Sequence, residues 1–217
     1  MKPMKWIILP IALLMMALPG CGIKVKNDTP KELLETLEKA FQALDTDALA
    51  GCYLPQQQTS AKAVFTSVKK MKDKTDSVKK TVAGKLGKDV AEKLFEKNSI
   101  DRFNQLACVT KDAKLDWGKI EIEEKGDTAE VFLNRTGFRS DKILHLKKVN
   151  KKWYLQNDET RRELEKGVEY ATKLMDAIIK GLDLFDQSVK QGKVTKDNAS
   201  DELQRAFSKA ALDGSTL

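Results

Sequence analysis

Leu164, Val168, Ala171, Met175, Ile178, Leu182, Phe185 and Val189 recur at alternating spacings of four and three residues, and nothing else in the chain limits its fold as tightly. That rhythm, held over more than three heptads, puts all these side chains on one face of a single long helix. Glu169, Asp176 and Asp186 stand four residues before Lys173, Lys180 and Lys190, an order that supports the opposite, exposed face. Gly192 ends this helix. Leu203, Ala206, Phe207 and Ala210 mark a last amphipathic helix to about Leu212, so the two predict a helical hairpin.

A second seam of the same rhythm runs through Val64, Val68, Met71, Thr75, Val78 and Val82. It predicts a lysine-rich helix from Ser60 to about Val82, ended by Gly84 and Gly87, with a short helix restarting over Lys88–Lys97. The C-terminal seam either packs within the chain, on this helix or on the preceding domain, or pairs with another copy as a homo-oligomer. Leu174, Ile179 and Leu184 widen its apolar face beyond a two-stranded seam, which favours internal packing.

Between the two seams, and before them, the pattern differs. Thr29-Pro30-Lys31-Glu32 reads as a capping box with proline in the first turn, followed by Leu33, Leu34, Leu37, Ala40, Phe41 and Leu44 at helical spacing. Asp45-Thr46-Asp47 breaks that helix and caps a short one from Ala48 to Leu54. From Trp117 the period becomes two: Lys119 to Glu123 alternates, Lys125-Gly126-Asp127 turns, and Ala129, Val131 and Leu133 share one face. Ile143 to Val149 and Trp153 to Gln156 follow, joined at Asn150-Lys151. These make at least three antiparallel strands, or four, with another strand conceivable around Phe103 to Val109.

The N-terminus carries an address. Met1 to Lys5 is basic, Trp6 to Leu18 is apolar, and Pro10 interrupts the apolar run. Thirteen residues fall short of the roughly 20 that span a bilayer, so the layout is that of a secretory signal peptide. Leu18-Pro19-Gly20-Cys21 resembles the lipobox of bacterial lipoproteins. The resemblance implies diacylglycerol on the Cys21 sulfur, cleavage between Gly20 and Cys21, and acylation of the new amino group. More than one acyl chain meets the requirement for stable anchoring. Gly22, where an aspartate signals inner-membrane retention in that family, implies the outer membrane, facing the periplasm. On this reading residues 1–20 are the leader and 21–28 a lipidated tether.

Removing the leader takes away Lys2 and Lys5, so the formal charge falls from +7 to +5. The excess is local: Lys62 to Lys97 holds eleven lysines against five acids. Lys69, Lys70, Lys79 and Lys80 are the candidate basic surface for anionic headgroups or an envelope polyanion, set against a plain solvated helix face. Phe65 and Phe95 are the only aromatics between Lys62 and Lys97, and secretion separates the chain from cytosolic nucleic acid, so no nucleic-acid partner is expected. With Cys21 lipidated, Cys52 and Cys108 remain as a candidate disulfide in an oxidising compartment, or as buried apolar thiols.

The stretch from Thr29 to Asn157 resembles small envelope proteins of the nuclear-transport-factor-2-like, or cystatin-like, cone. The residues that carry this are Thr29-Pro30 with the helix to Leu44, Asp45-Thr46-Asp47-Ala48 leading into Cys52-Tyr53, Gly126-Asp127-Thr128-Ala129-Glu130-Val131, and Val149-Asn150-Lys151-Lys152-Trp153. The resemblance implies an α+β fold, N-terminal helices on a curved antiparallel sheet, over residues 29–157. Residues 158–217 then form the C-terminal helical extension. Such cones host many functions, so the likeness transfers no activity.

A search for chemistry finds little. His145 is the only histidine, on a strand whose alternation turns Leu144 and Leu146 to the opposite face. No zinc spacing, phosphate loop or nucleophile elbow occurs, so no catalytic residue, metal ligand or cofactor is assigned. The expectation is a non-enzymatic envelope lipoprotein whose cone binds a small ligand or a protein partner. The alternatives are an enzyme using acids in the cone cavity, or a structural tether assembling through the C-terminal helices.

Overall fold

Thr29 opens the first helix as its sequence predicts: its hydroxyl accepts from Glu32 N–H and the Glu32 carboxylate accepts from Thr29 N–H, each at 3.2 Å. The protein is described from a computed structural model over residues 22–96, 117–132, 135–136, 139–140, 143–157 and 161–213. Its elements are α1 (Pro30–Ala43), α2 (Thr46–Gly51), α3 (Gln58–Leu86), α4 (Lys88–Glu96), β1 (Glu121–Lys125), β2 (Thr128–Phe132), β3 (Arg135–Thr136), β4 (Arg139–Ser140), β5 (Ile143–Val149), β6 (Lys152–Gln156), α5 (Arg161–Lys190) and α6 (Ala199–Asp213).

The main sheet is antiparallel with order β1-β2-β5-β6, and β3 and β4 form a separate two-residue pair. Its register lines up Ala129, Leu146 and Leu155 across three strands. With Val131 and Trp153 these bury against Leu33, Leu34, Leu37 and Phe41 of α1, forming the first core. The outer edge of β6 is also closed. Trp153 N–H donates to Asn27 O, Leu155 N–H donates to Cys52 O, and Leu54 N–H donates to Leu155 O. Strand edges left open invite foreign pairing, so this covering matters. The other edge, β1, is guarded by charge in Glu121, Glu123, Glu124 and Lys125.

The expected curved cone does not form. The chain is mostly helical, and its sheet is a small four-stranded one with helices before and after it. The residues that suggested a cone are turn and hairpin chemistry, which many small sheets share. Five-residue strands in β1, β2 and β6 reach only about 17 Å, and the inner face is filled by apolar side chains from α1 instead of enclosing a cavity.

A second core explains where the helical residues go. Val78 and Val82 of α3, Ala91 of α4, Leu182, Phe185 and Val189 of α5, and Ala206 of α6 bury together beyond the sheet. Both seams predicted from sequence therefore meet inside one chain. Gln57 donates to Asn157 O at the start of the two long helices, Lys74 pairs with Asp183 further along, and Val78 and Val82 share a core with Phe185 and Val189 beyond that. The partners advance in the same direction, so α3 and α5 run parallel. Each 1.5 Å step along α3's 29 residues makes it about 43 Å long. At its far end Gly87, with φ +106, allows the reversal into α4. The helix continues through Gly84 to Leu86, beyond the Val82 end expected from sequence.

On the return path α6 crosses α5 closely. A Cβ on Gly181 would lie 3.0 Å from Phe207 Cε1 and 3.2 Å from its Cα, so only glycine permits this approach.

Candidate functional site

Gly22 to Asp28 was expected to be a polar tether, and it is instead seated on the first core. Ile23 and Val25 pack against that core. Ile23 N–H donates to Asp45 Oδ2 at 2.8 Å, and Lys26 N–H donates to the Thr36 hydroxyl at 3.2 Å. Asn27 both donates through Nδ2 to Trp153 O, at 2.9 Å, and accepts from Trp153 N–H, at 2.7 Å. Asp28 pairs with Lys152 at 2.5 Å. The alternation of Ile23 and Val25 with Lys24 and Lys26 is the sequence signal that marks this segment as half-buried.

Asp45 is the hub of the arrangement. It caps α2 by accepting from Ala48 N–H at 3.0 Å while holding Ile23 with its other oxygen. The Ala48 and Ile23 N–H groups, with a smaller contribution from the Lys69 charge, hold its carboxyl below the usual 3.8. Asp47 next to it pairs with Lys62 at 2.6 Å. The segment that follows Cys21 thus emerges beside the first turns of α3. Cys21 itself lies outside the described residues.

The candidate lysines are not one cluster. At about 100° of rotation per residue, Lys62, Lys69 and Lys80 fall within about 20° of one another, opposite the buried Met71, Val78 and Val82. Lys70 and Lys79 lie about 80° and about 100° to either side of that ridge. Asp73 and Asp76 share the ridge, and Asp76 pairs with Lys72. Lys74 alone turns inward, to α5.

That inward turn makes a polar contact sequence reasoning missed. Asp186 is 4% exposed, its Oδ2 bound to Lys190 at 2.6 Å and 4.0 Å from Lys74, while Lys74 also pairs with Asp183. Burial pushes the Asp186 carboxyl up, but Lys190, Thr81 and Lys74 together hold it below the usual 3.8. Its second oxygen, Oδ1, is buried with no hydrogen-bond partner. The spacing Asp186–Lys190 was legible only as a surface pair.

His145 is exposed on β5, in register with Glu130 and Gln156, on the face away from Leu146. Cys52 is a fully buried free thiol, and burial pushes it up to about 12. Cys108 lies outside the described residues, as does the strand suggested over Phe103 to Val109. Among the described residues no group of three or more His, Cys, Asp or Glu could hold a metal ion, and no helix is long and apolar enough to cross a membrane. Asp201, Gln204, Arg205, Ser208, Lys209 and Leu212 line an open depression along α6, which encloses nothing. The chain matches no family model, no curated protein and no solved structure.

Proposed function

We propose that this chain is a lipid-anchored bacterial envelope protein that binds a protein partner and carries out no catalysis of its own. The observation that supports it is the run from Leu18 to Cys21 at the end of a short apolar leader, followed directly by a segment that is bonded into the fold. A domain seated from Ile23 onward leaves two residues between lipid and protein body. Gly22 after the cysteine favours the outer membrane, with the domain in the periplasm. The inner face of the sheet carries apolar side chains packed on α1, so the acids needed by a cone-cavity enzyme have no place there. The distal parts of the α3 seam and the C-terminal seam, Val78 and Val82 with Leu182, Phe185 and Val189, are occupied by one another, which speaks against assembly through them. Protein binding is preferred over small-ligand binding because α5 presents a long helical face on which Tyr170 is exposed.

Growth of the source bacterium, or a host with lipoprotein processing, on labelled palmitate tests the anchor. The mature N-terminal peptide is expected to begin at a diacylglyceryl-modified Cys21, and Cys21→Ser to give unlabelled, uncleaved precursor. Label retained in Cys21→Ser would sink the proposal. Cross-linking in intact envelopes, followed by identification of the linked chain, tests the binding role.

A further inference from the structure

We infer that the outward face of α3 lies along an anionic bilayer, with the docked N-terminal segment fixing that orientation. The inference rests on the anchor proposed above and adds to it which face of the protein meets lipid.

Two independent features converge on this face. The first is where the chain leaves the fold. Ile23 N–H is fastened to Asp45, and the neighbouring Asp47 pairs with Lys62 of α3. Cys21 is two residues further out, at most about 7 Å of extended chain. A lipid on that cysteine therefore draws the start of the Lys62–Lys69–Lys80 ridge to the headgroups, because no slack separates them. A flexible linker would let the body rotate freely; a bonded one does not.

The second feature is charge. Over Lys62 to Lys80 the helix has seven lysines and two acids, Asp73 and Asp76. Lys74 is turned into the α3–α5 contact, and the remaining lysines flank or crown the ridge. Thr66, Asp73, Asp76 and Ser77 occupy the outward positions between Lys62 and Lys80, with no exposed large apolar residue. Small and basic positions on a rigid rod match a surface of phosphate headgroups, whereas a protein partner would call for apolar anchors. Lys62 and Lys80 are separated by about 27 Å along the helix axis, enough to span several headgroups. Bound this way, the rod is parallel to the membrane, and the second core is held beside the anchor instead of above it.

The test uses the processed, acylated protein in vesicles of phosphatidylcholine alone and of phosphatidylcholine with phosphatidylglycerol in equal parts. Brief amine acetylation followed by peptide mass mapping reads each lysine. Lys69 and Lys80, on the crown of the ridge, are expected to react about fivefold more slowly on the anionic vesicles, and Lys62, Lys70 and Lys79 to be slowed less, while Lys193 and Lys209 of the distal lobe keep their rates. The protection should fade at roughly 1 M salt, where screening is complete within a few ångströms. In Lys69→Glu/Lys80→Glu the protein should stay acylated and vesicle-bound while Lys62, Lys70 and Lys79 lose their protection; Lys193→Glu/Lys209→Glu, with the same charge change, should keep it. An acylated protein whose α3 lysines react equally on both vesicles overturns the orientation alone. A processed chain without acyl groups overturns the anchor, and the orientation with it.

Discussion

Ile23 and Asp45 are joined by a 2.8 Å hydrogen bond from main-chain N–H to Oδ2, and the same carboxylate caps α2 through Ala48 at 3.0 Å. One side chain thus starts a helix and fastens the segment next to the proposed anchor. Asp45→Ala should cost about 1–2 kcal/mol, the upper part of the range for a lost N-cap, because the Ile23 donor is stranded too. Urea unfolding measures the loss. Limited proteolysis should then cut within residues 22–28 of the variant and spare the parent; equal resistance would show that the segment is held by packing alone.

Gly181 and Phe207 set how closely α5 and α6 approach. Gly181→Val must push the Phe207 ring and backbone aside, and overpacking of this kind costs about 1–3 kcal/mol. Val at Gly84, where a Cβ meets nothing within 4 Å, should change thermal stability far less. A comparison of the two melting temperatures decides it.

Lys74 and Lys69 are five residues apart on α3, about 140° of rotation, and are predicted to differ sharply. Lys74→Met removes a charge facing the buried Asp186 and should cost about 1–3 kcal/mol. Lys69→Met, exposed on the outer ridge, should stay within about 0.5 kcal/mol. The acid dependence follows from the same site. Asp186 and Asp45 have folded values below the usual 3.8, so their stabilising contributions are complete above that value and are lost as pH falls through the lower folded ones. Asp186→Leu should flatten that part of the acid limb measured by urea titration, leaving the share due to Asp45.

Cys52 should be inert in the folded protein. Its thiol is fully buried and pushed up to about 12, so the thiolate that reacts with iodoacetamide is scarce at neutral pH. Alkylation should be negligible until denaturant is added, then rapid. Omitting reductant in denaturant also tests the pairing with Cys108: a bridged pair stays unlabelled, and free thiols take up two equivalents.

Much of the helical frame was readable because its signals are local or periodic. Thr29 and Glu32 form the capping box their spacing announces, and Val78 and Val82 meet Leu182, Phe185 and Val189 as matching seams suggest. The first strand was misplaced by two residues, since Lys119 belongs to a tight turn and β1 begins at Glu121. The cone was misread for a different reason. Gly126-Asp127 and Asn150-Lys151 specify turns between strands, and nothing local specifies whether the sheet curls or is filled from one side. The same limit hid the site. Asn27 meets Trp153 across 126 residues of sequence, and no periodicity in either neighbourhood encodes that meeting. The lysine ridge could be counted from sequence, but its relation to Ile23 needed the position of Asp45.

The parallel course of α3 and α5 also shapes how the chain must come together. Gln57 and Asn157 mark adjacent helix starts 100 residues apart in sequence. As the polypeptide emerges, α3 has its apolar seam ready long before α5 exists to cover it, a gap on the order of ten seconds at ribosomal speeds. Two helices joined by a tight loop would close at once; closing these spans about 100 residues of intervening chain, so the distal core is a non-local event in folding. A newly made chain therefore passes through a stage with the Met71–Val82 stripe bare, the point at which escort proteins guarding against aggregation would have something to hold.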